Sequence, residues 1–170
     1  MKTTLKGKFK IFLLIVFGIL LVDQCTKYIV SKIVGLGNSV ALIRGILYIT
    51  YVKNTGAGFG IFKNQNTLLI FISLIVVGLI LFYLNKILEY GLCFPFSLIF
   101  SGAIGNLIDR ILFGYVRDFI DFRIWPTFNI ADSCITIGIF LMLYYGLLKR
   151  KHNRKYPRDR DYRDSGKRDK

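Results

Sequence analysis

Histidine is almost absent from this chain of 170 residues, since the one copy, His152, lies among basic residues near the C-terminus. Serine and cysteine nucleophiles are commonly activated by a histidine base, and zinc peptidases of the H-E-x-x-H type bind their metal through two histidines. One histidine outside every apolar segment excludes both kinds of site. We therefore look for chemistry among the other ionisable side chains.

Cysteine is also scarce, and Cys25, Cys93 and Cys134 are far apart with no C-x-x-C spacing. An odd number of distant cysteines predicts neither a disulfide framework nor a thiolate metal site. We interpret all three as small buried apolar residues. The sequence thus predicts a protein without a metal or another cofactor.

Charged residues make up only 20% of the chain, against 54% hydrophobic residues, and the mean hydropathy is +0.50. This composition is typical of a membrane protein. Residues 149–170 are the exception, with 11 lysines and arginines and 4 aspartates. We expect a disordered basic tail that stays near anionic lipids and does not bind nucleic acid.

Four apolar segments have about the length of roughly 20 residues that a membrane-spanning helix needs. They cover residues 11–30, 68–84, 92–112 and 130–148. The first follows several lysines, as a signal peptide does, but Asp23, Gln24 and Lys27 continue it where a cleavage site of small residues would be needed. We predict an uncleaved first span, and a single membrane domain over residues 1–148.

Positive charge predicts the orientation of the four spans. The segments before the first span, between the second and third, and after the fourth hold 16 of the 24 lysines and arginines. Because positive loops stay inside, both termini are expected in the cytoplasm. The connection at residues 39–62 then lies outside, and its Val, Ile, Tyr and Thr residues followed by glycines predict a small β element.

With this topology, nearly all acidic residues outside the tail fall near the outer side of the membrane. Ionisable groups there are costly in lipid, so they tend to face a bundle interior or a wet cavity and mark functional sites. The exception is Glu89. The convergent residues are Asp23, Asp109, Asp118, Asp121 and Asp132.

Some of these carboxylates have plausible structural partners close in sequence. Asp23 and Lys27 are four residues apart, so they can pair on one helix face. Asp109 lies beside Arg110, which suggests an orienting ion pair. Asp121 is interpreted as a solvated loop charge.

Asp118 and Asp132 lack a neighbouring partner of equal quality, and they are the best candidates for chemistry. Two adjacent carboxylates resist simultaneous ionisation, so one remains an acid while the other serves as a base for water. The spacing of Gly102, Asn106, Asp109 and Arg110 places a small residue and polar groups toward one interior side of the third span, and Asn129 can cap the last helix. The pattern predicts an aspartic peptidase.

Five sequence blocks resemble, in order and spacing, the motifs of the bacterial lipoprotein signal peptidases, also called signal peptidase II. The blocks are "DQCTK" (23–27), "KNTGAGF" (53–59), "GAIGNLIDR" (102–110), "VRDF" (116–119) and "FNIADS" (128–133). The resemblance implies an all-α integral membrane protein of four transmembrane helices with a small β-cradle on the outer face. It also implies an enzyme of the bacterial cytoplasmic membrane.

The resemblance implies that Asp118 and Asp132 are the catalytic pair of an endopeptidase. Its substrates would be prolipoproteins, cut just before a cysteine that carries a diacylglyceryl group, and its other partners membrane lipids. We expect a monomer. The positions matching supporting or substrate-binding residues are Asp23, Lys27, Asn54, Gly56, Gly102, Asn106, Asp109, Arg110 and Asn129.

Two other functions remain open at the level of sequence. Asp23, Asp109 and Asp132 could form the relay of a small proton-coupled transporter, although a relay should be distributed through the membrane. Lys27 could instead activate Ser31, Ser101 or Ser133 in a Ser-Lys peptidase.

Overall fold

The fold comes from a computed structural model that describes residues 4–56 and 62–155. The glycine-rich end of the predicted outer β element, residues 57–61, and most of the basic tail, residues 156–170, lie outside this range. Five helices and three strands make up the described part of the chain. The fold is helix-rich with one small sheet.

Four of the helices correspond to the predicted spans. They are α1 (Leu5–Ile33), α2 (Asn66–Phe82), α4 (Cys93–Phe113) and α5 (Ile130–Lys155). A short helix, α3 (Leu84–Glu89), was not predicted and follows α2 after Tyr83. Helix α5 continues seven residues beyond the predicted end at residue 148, because no proline or glycine interrupts the chain before Lys155.

Two described helices are long and apolar enough by composition to cross a membrane, namely α4 and residues 130–148 of α5. Helix α2 is similarly apolar but has 17 residues, and α1 carries several charges. Many side chains of α1 and α5 are nevertheless apolar and exposed, as Leu14 (71%) and Phe140 (67%) show. The prediction of buried cysteines is wrong for Cys25, which is exposed on α1.

Close packing of α4 against α5 depends on glycine. A Cβ atom on Gly102 would overlap the backbone carbonyl of Ala131 and approach Ile135 Cγ1 to 2.6 Å. Gly138 of α5 likewise leaves room for α4, because a Cβ atom on Gly138 would lie 2.6 Å from Ile99 Cγ1. Small residues of this kind let two helix backbones approach closely without side chains between them.

The buried face of α1 is apolar in the first half of the helix and polar in the second half. Its buried residues are Phe12 and Val16 in the first half, then Asp23 and Lys27 in the second. The apolar half packs against α3 and the start of α4 in a cluster built around Leu88. The polar half lies next to the small sheet.

The sheet has the order β1–β2–β3, with all neighbours antiparallel. Strands β1 (Ser39–Ile43) and β2 (Leu47–Asn54) form a hairpin within the predicted outer element. The third strand, β3 (Val116–Asp121), was not predicted. It starts just after Gly114, whose φ of 79° ends α4 in a left-handed conformation that glycine adopts without strain.

The segment after β3 folds back on it and thereby positions the start of α5. Phe128 and Ile120 exchange backbone hydrogen bonds of 2.8 and 3.1 Å. This bridge places the next residue, Asn129, beside the middle of β3. The first turn of α5 and strand β3 therefore meet, although eight residues separate them in sequence.

Candidate active site

Asp132 lies in the first turn of α5, where the helix start itself holds its carboxylate. Asn129 Oδ1 accepts a hydrogen bond of 2.8 Å from the backbone N–H of Asp132, and Asp132 Oδ2 accepts one of 3.4 Å from the backbone N–H of Asn129. These reciprocal contacts form a capping box. The capping function predicted for Asn129 is present, and it also fixes a candidate catalytic group.

Asp118 lies in β3 and is 1% exposed. Its Oδ2 accepts a hydrogen bond of 2.8 Å from Asn54 Nδ2 of the neighbouring strand, and its Oδ1 accepts one of 2.6 Å from Asn129 Nδ2. Burial and then the negative charge of Asp132 raise the pKa of Asp118 to about 7, against the two hydrogen bonds, which lower it. Asp118 and Asp132 are thus close enough to affect each other's ionisation.

Asn106 of α4 connects the two carboxylates to a buried lysine. Its Nδ2 donates a hydrogen bond of 2.7 Å to Asp132 Oδ1, while its Oδ1 accepts from Lys27 Nζ at 3.1 Å and from Asn129 Nδ2 at 3.2 Å. An ammonium group can only donate, so Lys27 fixes which end of the amide faces it. The N–H end of Asn106 is therefore directed at Asp132.

A buried group of charges lies behind these asparagines. The expected pair of Asp23 and Lys27 is present at 2.9 Å, and Asp23 Oδ1 also accepts a hydrogen bond of 3.0 Å from the backbone N–H of Ala131 at the start of α5. Lys27 Nζ lies 3.6 Å from Asp109 Oδ2. Asp109 in turn binds Arg117 of β3 at 2.7 Å.

The prediction that Asp109 pairs with Arg110 is wrong. Adjacent residues of a helix point about 100° apart, so they cannot share one face. Arg110 instead donates a hydrogen bond of 3.2 Å to the carbonyl of Gly56, whose own N–H is held at 2.9 Å by Asn54 Oδ1. Arg110 and Gly56 are thereby placed on the β2 side of the site.

Asp121 is not a solvated loop charge, because it lies in β3 and is 7% exposed. It accepts hydrogen bonds of 2.6 Å from Thr50 Oγ1 and 2.8 Å from the backbone N–H of Arg123. Burial acts to raise the pKa of Asp121, but these hydrogen bonds hold it below its usual value. Among the residues that the structure describes, Asp121 shares no hydrogen-bond partner with Asp118 or Asp132, and its contacts stabilise the end of the sheet.

A cavity of about 500 Å³ opens on one side of Asp132. Asn54 and Arg110 give it a polar end, while Ile135 and Ile137 of α5 give it an apolar wall. Trp125, from the segment between β3 and α5, also lines it. The arrangement can hold an extended apolar molecule with a polar group at the carboxylates.

Sequence reasoning missed three residues of this region. Arg117 adds a cation to the buried group of charges, and Gln24 is hydrogen-bonded to it. Gly105 leaves room for Asp23, since a Cβ atom at Gly105 would lie 2.7 Å from Asp23 Oδ2. Gln24 and Arg117 lie within the quoted blocks "DQCTK" and "VRDF", next to Asp23 and Asp118. That adjacency was the available signal, but it does not specify a partner.

Comparison with known proteins identifies relatives of this chain. A family model described as signal peptidase (SPase) II matches residues 15–148. The lipoprotein signal peptidase of Halothermothrix orenii is 42% identical over 133 residues, which cover 78% of this chain and 92% of that protein. The lipoprotein signal peptidase of Staphylococcus aureus (strain JH9) is 40% identical over 149 residues, covering 84% and 91%.

Two solved structures, both described as bacterial membrane enzymes, share the fold. One has a TM-score of 0.80 at 37% sequence identity, and the match covers 86% of this chain and 93% of the chain in that structure. The other has a TM-score of 0.74 at 38% identity, covering 82% and 94%. The family model spans most of the chain, and the named relatives are about 40% identical over most of their own length, so the chain belongs to the signal peptidase II family of bacterial membrane peptidases.

Proposed function

We propose that the protein removes signal peptides from prolipoproteins as an aspartic endopeptidase, with Asp118 and Asp132 as its catalytic residues. The observation that carries this proposal is the position of Asn129, which contacts both Asp118 and Asp132, the second of which lines a cavity. The relatives are named lipoprotein signal peptidases, which supports prolipoproteins as the substrate class.

In the proposed mechanism the two carboxyl groups share one proton. The ionised carboxylate accepts a proton from a water molecule as its oxygen attacks the scissile carbonyl. The other carboxyl donates its proton to the carbonyl oxygen, which gives a tetrahedral diol. As the C–N bond breaks, the amine takes up the proton that came from water, and one hydroxyl of the diol returns its proton to the pair, which thus regains its single shared proton. Because protonation belongs to the pair jointly, neither aspartate is assigned a fixed role.

The cavity supports cleavage next to a lipid-modified cysteine. Its polar end, formed by Asn54 and Arg110, suits an extended peptide backbone, and its apolar wall on α5 suits acyl chains. The substrate would thus lie with its scissile bond at Asp132 and its diacylglyceryl group along Ile135 and Ile137. Cleavage just before the modified cysteine is part of this proposal.

We infer that α1, α2, α4 and α5 all cross the cytoplasmic membrane, with both termini in the cytoplasm and the sheet on the outer side. Exposed apolar side chains on all four helices support this, because such a surface is stable in lipid and not in water. Membrane lipids would contact this apolar surface. We also propose that the enzyme acts as a monomer.

The contacts of Lys27 argue against a Ser-Lys peptidase. Lys27 is fully buried, and among the described residues its Nζ contacts Asp23, Asn106 and Asp109 rather than a serine. The three candidate serines donate elsewhere, each to a backbone carbonyl of its own helix. A proton relay is disfavoured too, because the other half of the interior is the apolar cluster around Leu88.

A cleavage assay tests the proposed function. The purified protein in detergent should release the signal peptide from a diacylglyceryl-modified precursor, and it should cut the unmodified precursor far more slowly. Replacing Ser31, Ser101 or Ser133 by alanine should leave a folded, active enzyme. Loss of cleavage in a serine variant would support the Ser-Lys alternative, and proton flux without cleavage would support a transporter.

A further inference from the structure

Arg117 is the most extensively bonded of the buried cations, although it precedes Asp118 and takes no part in the proposed chemistry. Three of its N–H groups donate to Asp109, from the backbone at 2.9 Å, from Nε at 3.1 Å and from Nη2 at 2.7 Å. Nη2 also donates to Gln24 Oε1 at 2.8 Å. Arg117 thus ties β3 to both α1 and α4.

The buried charges of this region balance only when Arg117 is present. Asp23 and Asp109 supply two negative charges, while Lys27 and Arg117 supply two positive ones, and each of the four is at most 6% exposed. Without Arg117 the group would carry one uncompensated negative charge in a dry interior. An unpaired buried charge is strongly destabilising, so neighbouring groups would move to compensate it.

Lys27 is the group best placed to move. Its Nζ lies 3.1 Å from Asn106 Oδ1 but only slightly farther, 3.6 Å, from Asp109 Oδ2. If Arg117 no longer neutralised Asp109, Lys27 would shift towards that carboxylate and leave Asn106. The Asn106 amide would then lose the charged one of the two donors, Lys27 and Asn129, that direct its N–H end at Asp132.

We propose that Arg117 is a positioning residue for both catalytic aspartates. It holds the strand that carries Asp118 against α4, and by neutralising Asp109 it leaves Lys27 to orient Asn106 towards Asp132. Gln24 supports the arrangement, because its Nε2 contacts Asp23 Oδ2 at 3.0 Å and Gly105 O at 3.1 Å while its Oε1 accepts from Arg117. This inference rests on the proposed function.

Kinetics of three variants test the proposal, with purified enzyme and a diacylglyceryl-modified precursor. Arg117→Met removes the charge and all side-chain donors and should lower kcat by about tenfold to a hundredfold, the range expected for lost bonds to a charged group. The value of KM should change by less than about twofold, because Arg117 does not line the cavity. Arg117→Lys keeps the charge and should recover part of kcat.

Arg123→Met is the matched control. Arg123 follows the same strand and lies 3.6 Å from Asp121, but its side chain is 46% exposed and belongs to the sheet end. Its kcat should stay close to that of the wild type. Adding Asp109→Asn to Arg117→Met removes both members of the pair and restores neutrality, so the double variant should lose less than the product of the two single losses.

Hydrogen exchange supplies a readout independent of cleavage. Amides of β3 should exchange faster in Arg117→Met and at the wild-type rate in Arg123→Met. Wild-type kcat in Arg117→Met or Arg117→Lys, a loss confined to KM, or unchanged exchange in β3 would overturn the proposal. If the wild type fails to cleave the precursor, the proposed function fails instead, and the exchange result still decides whether Arg117 holds the strand.

Discussion

Asn129 donates a hydrogen bond of 2.6 Å from its side chain to the carboxylate of Asp118, and it does so from the first position before helix α5. The same residue caps that helix through its side-chain oxygen. A cap, which is normally a matter of helix stability, here determines where one carboxylate lies relative to the other.

The two functions of Asn129 can be separated by substitution. Asn129→Ser keeps a side-chain oxygen for the cap but lacks the amide N–H that reaches Asp118, so the variant should stay folded while kcat falls by roughly a hundredfold or more. Asn129→Ala should lose both the activity and about 1 kcal/mol of stability. Equal activity of Asn129→Ser and wild type would show that the contact with Asp118 is not needed.

The raised pKa of Asp118 predicts the pH dependence of cleavage. Because the pair must keep one proton, kcat should fall as the pH rises through about 7, the pKa of this carboxyl in the folded protein. A pH–rate profile of the purified enzyme measures this fall. A rate that keeps rising well above neutral pH would contradict the shared proton.

The same carboxyl predicts how stability depends on pH. Between its usual value of 3.8 and about 7, the folded protein retains a proton that the unfolded chain has lost, so stability falls as the pH rises through this window. Asp118→Asn should remove that contribution. Denaturation of both proteins in detergent at several pH values would show it, and parallel curves would contradict it.

Gly102 provides a test of the close contact between α4 and α5. Gly102→Ala should destabilise the protein by about 1–3 kcal/mol, because its Cβ overlaps the Ala131 carbonyl beside the site. Gly146→Ala is the control on α5, since a Cβ at Gly146 meets no atom within 4 Å. Thermal unfolding of both variants decides the matter, and similar midpoints would show that the helices do not need the glycine.

The only tryptophan of the chain reports on the cavity. Trp125 is 55% exposed and lines the cavity that we assign to the lipid-modified substrate. Its emission should shift to shorter wavelength when a diacylglyceryl-modified precursor binds to the Asp118→Asn variant. The unmodified peptide should produce a smaller shift, and identical spectra with both would argue against a lipid in this cavity.

Much of this site was accessible from local sequence patterns. The spacing of four between Asp23 and Lys27 fixes a shared helix face, and the pair is formed. The position of Asn129 at the start of the last apolar segment, three residues before Asp132, suggested the cap. Patterns of this kind succeed because both partners belong to the same helix and its periodicity determines their geometry.

Contacts between distant segments were not accessible in this way. Strand β3 has three charged residues among six, and it exists because it pairs with β2, more than 60 residues away. The true partner of Asp109 is Arg117 on that strand and not the adjacent Arg110. A composition so rich in charge resembles a loop until its partners are known.

The most direct test of the account is the turnover of a diacylglyceryl-modified precursor by Asp118→Asn and Asp132→Asn, with Asp121→Asn as the matched control from the same strand. The account predicts that the first two variants remain folded and lose nearly all turnover. Asp121→Asn should stay active, since Asp121 contacts Thr50 and Arg123 at the end of the sheet. Substantial turnover by either of the first two variants would contradict a mechanism based on paired aspartates.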